Sequence, residues 1–291
     1  MKKAILWSLA IIITLVAAIY QRQTGPTYPK RISATVNDTV LKLKLIRSID
    51  LTERSEVKLK IFDKSVSARL FFKRLGSTEE YQSADFTYKV YPVDSYLMNK
   101  VFKITEEKGF FAVVPQQPPA GKIQYYFEIT DSKGTQTYLK DEPIVIRFKG
   151  GVPPYILIPH ILFMFFAMLF STLAGLMALI KYPLYKKYGV LTLILFTIGG
   201  MMLGPIVQYD AFGDLWTGIP FGWDLTDNKT LIALLFWVLA VYMNRKEEKP
   251  LYVALAALIL LLVFSIPHSL FGSQLDYASG QVTQGMILNF F

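Results

Sequence analysis

Ala4-Ile5-Leu6-Trp7-Ser8-Leu9-Ala10-Ile11-Ile12-Ile13-Thr14-Leu15-Val16-Ala17-Ala18-Ile19-Tyr20 contains no charged residue, and Met1-Lys2-Lys3 precedes it. An apolar run of this length approaches what a helix needs to cross the ~30 Å hydrocarbon layer of a bilayer. About 130 polar residues follow, and the chain then turns apolar again. Four further runs fill the C-terminal half: Tyr155 to Ile180, Tyr188 to Val207, about Leu225 to Asn244, and Leu251 to Pro267. The layout predicts a membrane protein with a bundle of five transmembrane helices and an extracytoplasmic all-β domain inserted between the first and second.

Composition agrees with that division. The 291-residue chain is 53% hydrophobic and 18% charged, too apolar for one soluble globule. Residues 21 to 152 hold 22 of its 31 Lys/Arg and 15 of its 22 Asp/Glu, so most of the formal charge of +9 lies on the polar segment. Such a surface attracts anionic headgroups or an acidic partner, but lysines on the outer faces of strands explain it more simply. There is no cysteine, which excludes disulfides, thiolate metal sites and covalently attached c-type haem.

Basic clusters flank the apolar runs at three places: Lys2-Lys3, then Lys181 to Lys187, then Arg245 to Lys249. The positive-inside bias places these in the cytoplasm. The N-terminus is then inside, and the segment 23–152, the loop 208–224 and the tail 269–291 are outside. Val16-Ala17-Ala18 is a tolerable cleavage site, yet the run is longer than a usual signal core. The first 22 residues therefore read as an uncleaved signal anchor in a bacterial inner (cytoplasmic) membrane. Pro205 is expected to kink or end the third run. Ala167, Ser171 and Gly175 recur every four residues, the spacing that lets helix backbones approach closely in lipid.

Between residues 31 and 149 the period is two. Leu41, Leu43 and Leu45 alternate with Lys42 and Lys44, and Val57, Leu59 and Ile61 with Lys58 and Lys60. Ala68, Leu70 and Phe72 follow, then Phe86, Tyr88 and Val90, then Ile123, Tyr125, Phe127 and Ile129, then Ile144 and Ile146. Alternation of this kind marks half-buried strands. One segment carries more detail. Phe110-Phe111-Ala112-Val113-Val114-Pro115 leads through Pro119-Ala120-Gly121 to Lys122-Ile123-Gln124-Tyr125-Tyr126-Phe127, with Asp131 and Gly134 beyond. It resembles bacterial extracytoplasmic immunoglobulin-like or fibronectin-III-like domains, closely over about 40 residues and loosely over about 120. The resemblance implies a β-sandwich used for adhesion, spacing or docking, and it implies no catalytic residues.

Chemistry-bearing residues are few. The only histidines, His160 and His268, both fall near the outer ends of their runs, where they could ligate a b-type haem or a metal. Phe163, Phe166 and Phe264 could line a haem slot. Two interfacial imidazoles facing water explain the same pattern. The loop holds Asp210, Asp214, Asp224 and Asp227, oxygen donors suited to a hard cation such as Ca²⁺, in no spacing typical of a calcium loop. Asp227 or Thr226 is expected to cap the fourth run, and Lys229 to reach headgroups or pair with an aspartate. Trp216, Phe221 and Trp223 suit a membrane interface or a partner surface.

The runs carry no acid or base at mid-depth and show no internal repeat, which argues against an ion-coupled transporter. No G-x-S-x-G, H-E-x-x-H, Walker A or dinucleotide-binding glycine pattern occurs. These absences favour a non-enzymatic scaffold or subunit that binds an envelope protein or membrane complex through its outer face. A redox subunit with one haem between His160 and His268 is the alternative. The tail 269–291 is expected to fold back on the outer surface.

Overall fold

The structure is a computed structural model that describes residues 2–268, 270 and 272–283. It divides into two compact units. One comprises Thr27–Lys149; the other comprises Met1–Pro26 together with Gly150–Phe291.

The first unit is built from strands. In chain order these are β1 (Lys30–Val36), β2 (Thr39–Leu45), β3 (Ser48–Asp50), β4 (Glu56–Leu59), β5 (Ser67–Arg74), β6 (Gln82–Asp85), β7 (Thr87–Pro92), β8 (Glu106–Val113), β9 (Lys122–Asp131), β10 (Gly134–Tyr138) and β11 (Ile144–Lys149). A short helix, α2 (Tyr96–Lys100), lies between β7 and β8. The helix α1 (Lys2–Thr24) precedes them all. The largest sheet runs β3-β11-β9-β5-β6, with β10 also on β9; a second runs β4-β8-β7, and β1 and β2 form a hairpin.

The alternating residues face one core. Leu43, Leu45, Val57, Leu59, Leu70, Ile123, Tyr125, Phe127 and Ile146 are almost completely buried in a single cluster that draws on both sheets and the hairpin. Burying each such side chain contributes about 1.5–3 kcal/mol. β9 is central, pairing β5 from Ser67↔Thr130 to Arg74↔Ile123 on one edge and β10 and β11 on the other. The buried Tyr125 hydroxyl donates to Ile46 O at 3.2 Å, so no polar atom is stranded there. The Asp131–Gly134 turn closes as a hairpin, with Gly134 at φ +123°. Amides of Asn37, first, and Lys133 hold the Asp131 carboxyl below its usual range and pin the β1–β2 turn to this hairpin.

Lys122 stands opposite Arg147 in the β9–β11 register. Burial, and then the Arg147 cation, lower its ammonium pKa from 10.5 to about 8. The folded value lies below the unfolded one, so the unfolded chain binds more protons between these two values. Stability should therefore rise with pH across that window. After allowance for solvent screening, a gain of about 1–2 kcal/mol is expected between about pH 8 and about pH 10.5. Pulse proteolysis in urea, read on fragments of the strand-rich unit, should show the rise in the natural chain and lose it in Lys122→Met. Equal slopes in both would refute it.

The second unit is helical: α1, then α3 (Pro154–Leu179), α4 (Tyr185–Phe196), a π-helical segment (Thr197–Leu203), α5 (Gly204–Phe212), α6 (Leu225–Met243) and α7 (Pro250–Ser265). Among the described residues, four helices are long and apolar enough to cross a membrane: Lys2–Thr24, Pro154–Leu179, the continuous Tyr185–Phe212, and Leu225–Met243. The fifth apolar run forms a shorter helix of 16 residues, about 24 Å long. The third run does not end at Pro205. Proline lacks an N–H and its ring crowds the carbonyl four residues back. The wider π turn upstream absorbs this, and the helix continues to Phe212, so Gln208 to Asp210 are helical instead of loop.

Gly175 of α3 packs directly on Ala257 of α7, where a Cβ on Gly175 would meet the Ala257 Cβ at 2.5 Å. At the other end of the unit from the first turns of α3, buried Asn244 ends α6. Its side chain accepts from Lys249 N and from the Tyr185 hydroxyl and donates to Ala240 O and Lys249 O. A small pair, β12 (Gln274–Leu275) and β13 (Val282–Thr283), closes the described chain. The apolar end Met286 to Phe291 lies outside the described residues.

Candidate functional site

His160, Lys229 and His268 line one cavity of about 330 Å³ in the helical unit. Each reaches it for an identifiable reason. On α3 the spacing of three and four residues puts Leu157, His160, Ile161, Met164, Phe165 and Met168 on one face, and all six line the cavity. Phe163 and Phe166 fall off that face; Phe165, Phe196 and Phe264 are the aromatic lining.

The π segment orients His160. Gly204 N–H bonds back to Gly199 O, five residues earlier, and His160 Nδ1 lies 2.9 Å from the same oxygen. A carbonyl oxygen only accepts, so Nδ1 carries a proton, and in the neutral ring Nε2 presents a lone pair. π turns of this kind occur frequently at functional sites. The sequence signal was Gly199-Gly200 shortly before Pro205; of these, only Pro205 was read, as a kink or an end of the third run.

Lys229 differs from expectation. It is 5% exposed and reaches neither solvent nor an aspartate. Its Nζ donates to Ile266 O at 2.8 Å and to Pro267 O at 3.4 Å, at the C-terminal end of α7. Unpaired carbonyls and the helix dipole favour a cation there. Asp227, two residues away on α6, points to a different side. His268 follows directly, on the chain that Lys229 holds, and is exposed. The lining includes no acid. Ile161 at the edge is exposed, so the cavity is reached from the helix surface.

The aspartates do not converge. Among the described residues no three of His, Asp and Glu gather as metal ligands. Asp224, instead of Asp227 or Thr226, caps α6, accepting from Thr226 N and Asp227 N. Asp227 faces the loop, where one oxygen accepts from Thr217 N (2.6 Å), Thr217 Oγ1 (3.1 Å) and Gln208 Nε2 (3.2 Å). Asn228 Oδ1 takes Ile219 N–H. Asp214 is exposed, and Asp210 lies on α5 with one buried oxygen that has no partner among the described residues.

Comparison with protein-family models, with curated proteins and with solved structures finds no match.

Of the three aromatic candidates, Trp216 is half-buried and donates to Ile219 O within the loop, so it shapes the turn. Phe221 and Trp223, 81% and 62% exposed, are the ones offered outward. The strand-rich unit has a second outward apolar surface that periodicity did not reveal. Tyr96 (80% exposed), Val101 (61%) and Phe102 (59%) stand on the β7–β8 excursion beside Lys100 and Lys103. Their spacing follows neither two nor 3.6 residues, so no pattern assigned them a side.

Proposed function

We propose that this chain is a five-span protein of the bacterial cytoplasmic membrane, with N-terminus inside, that acts as a non-enzymatic subunit docking an envelope partner. In this reading α1 is an uncleaved signal anchor, α7 a short fifth span, and residues 27–149 an immunoglobulin-like β-sandwich outside. Supporting the topology, the cavity is lined by the C-terminal part of α1, the first turns of α3, the first turns of α6 and the end of α7, an alternation of direction that an odd number of crossings requires.

The observation that carries the docking role is the apolar surface of Tyr96, Val101 and Phe102, rimmed by lysines. Large aromatic and aliphatic side chains exposed together mark interaction sites more often than scattered ones do. A partner with an apolar groove and an acidic rim would fit it. Purification of the full chain in mild detergent should recover a reproducible partner. The double variant Tyr96→Ser, Phe102→Ser should lose at least 90% of it while keeping its thermal midpoint, since both side chains are exposed. A solitary monodisperse protein, or a partner indifferent to the variant, would refute the proposal.

A second reading, a redox subunit with one b-type haem, is favoured by the shared cavity of His160 and His268. It requires a Soret band from protein expressed with added haem, lost in both His160→Ala and His268→Ala. Colourless protein would exclude it.

A further inference from the structure

We propose that the cavity between α1, α3, α6 and α7 binds a lipophilic molecule that ends in an oxygen head able to accept and to donate hydrogen bonds, as an acyl-chain carboxyl or a quinol does. This rests on the reading of the helical unit as membrane-embedded, and is independent of the docking surface on the strand-rich unit.

The walls supply the class of ligand. Apolar side chains dominate: Leu157, Met164, Phe165, Met168, Val263 and Phe264. Inside lipid such a space suits a hydrocarbon or ring body. The volume of about 330 Å³ falls at the lower end of the ~300–1,000 Å³ usual for small-molecule sites. The polar lining is the Gln21 amide, the Thr230 hydroxyl and the nitrogens of His160, Lys229 and His268. An ammonium has three N–H donors, and Lys229 uses two on main-chain carbonyls, which leaves one for a ligand oxygen. His160 has its Nδ1 proton committed to Gly199 O, so Nε2 is an acceptor for a ligand O–H. His268 lines the same space.

One donor and one acceptor held apart on different helices match a head whose oxygens both accept and donate: a protonated carboxyl through its C=O and O–H, or a quinol through its hydroxyls. The same set does not suit a bare metal ion. A buried ammonium would repel the cation, and no carboxylate among the lining residues would offset it.

Position supports a membrane-borne ligand. His160 lies roughly 9 Å along the axis from the start of α3, and Lys229 roughly 6 Å from the start of α6, at ~1.5 Å per residue. That depth is near the level where acyl carbonyls or a quinol ring meet hydrocarbon. The exposed Ile161 at the cavity edge marks where such a molecule would enter sideways from lipid.

The test uses the full chain in lipid nanodiscs with two probes, radiolabelled oleic acid in mildly acidic buffer, where its carboxyl keeps the O–H, and a reduced short-chain ubiquinone analogue. Saturable binding of at least one probe is expected. It should weaken at least tenfold in His160→Gln and in Lys229→Met, and be abolished in Ile161→Trp, which fills the cavity from its edge and leaves both polar groups in place. Lys229→Met also removes an anchor of α7; should that variant melt early, His160→Gln and Ile161→Trp still decide the matter. Preference for oleic acid identifies an acyl lipid as the source and preference for the quinol identifies an isoprenoid quinone. No saturable binding of either probe, binding unchanged in the variants, or a haem filling the cavity in the purified protein would overturn the proposal.

Discussion

Replacing Gly175 with leucine is expected to destabilise the helical unit by more than about 3 kcal/mol, the upper end of what overpacking a core costs. Gly175 is buried on α3, where even a Cβ would stand 2.5 Å from the Ala257 Cβ of α7. Two non-bonded carbons need about 3.5–4.0 Å, and the backbone fixes where a Cβ stands, so relief requires the helices to part. Parting them strips contact from Ala256, Leu260 and Leu173, all fully buried around the same seam. The helix-propensity gain from replacing glycine, up to about 1 kcal/mol, works in the opposite direction and is too small. Gly175→Ala grades the effect: a parting of about 1 Å and a loss of about 1–2 kcal/mol. Thermal unfolding in detergent, followed by loss of helical circular dichroism, should rank the natural chain above Gly175→Ala, and that above Gly175→Leu. Equal midpoints would mean that α3 and α7 do not meet at this point.

The four-residue spacing of Ala167, Ser171 and Gly175 exposed this seam in the sequence, because small residues at that interval serve close helix approach and little else. The strand-rich unit was legible for a similar reason. Period two has one physical source, a strand with a buried face, and Leu43, Leu45, Val57, Leu59, Ile123, Tyr125 and Phe127 all lie on it. Where one residue type answers to two physical causes, pattern alone decided badly. Pro205 signals a helix stop when the preceding turn is α-helical, yet a π turn satisfies it too, and only the backbone shows which is present.

Lys229 is the clearest case in the site itself. A lysine near a helix start among aspartates reads as a surface cation. Its actual partners, Ile266 O and Pro267 O, are main-chain atoms about 37 residues away, and main-chain acceptors leave no trace in side-chain identity. His160 and His268 were visible as a pair of rare residues, but that they share a cavity with Lys229 depends on the packing of four helices. Apolar residues of the 96–104 excursion carried no periodic signal because α2 is only five residues long and Val101 and Phe102 lie beyond its end.

Asp227→Ala should cost about 2–4 kcal/mol of local stability and release the loop between α5 and α6, while the α6 helix itself persists. The cap explains the persistence: Asp224 supplies the acceptor for Thr226 N and Asp227 N, and that bond does not involve the Asp227 side chain. What the variant removes is the single oxygen that gathers Thr217 N, Thr217 Oγ1 and Gln208 Nε2. Hydrogen bonds to a charged acceptor contribute about 1.5–3 kcal/mol, and a buried donor left without a partner costs about 1–3 kcal/mol. Thr217 Oγ1 and Gln208 Nε2 remain bonded to each other at 2.8 Å, so only the Thr217 amide is fully orphaned and the loss stays below the sum of three bonds. Asp227→Asn keeps an acceptor oxygen without the charge and should recover about half. Trp216 reports on the loop because its indole N–H bonds to Ile219 O inside it. Limited proteolysis should therefore cut within residues 213–223 at least tenfold faster in Asp227→Ala, with Trp216 emission shifted to the red, and the natural rate should be largely restored in Asp227→Asn. An unchanged cleavage rate would show that the loop is held by Asn228 and its own turns, and that the Asp227 contacts are incidental to it.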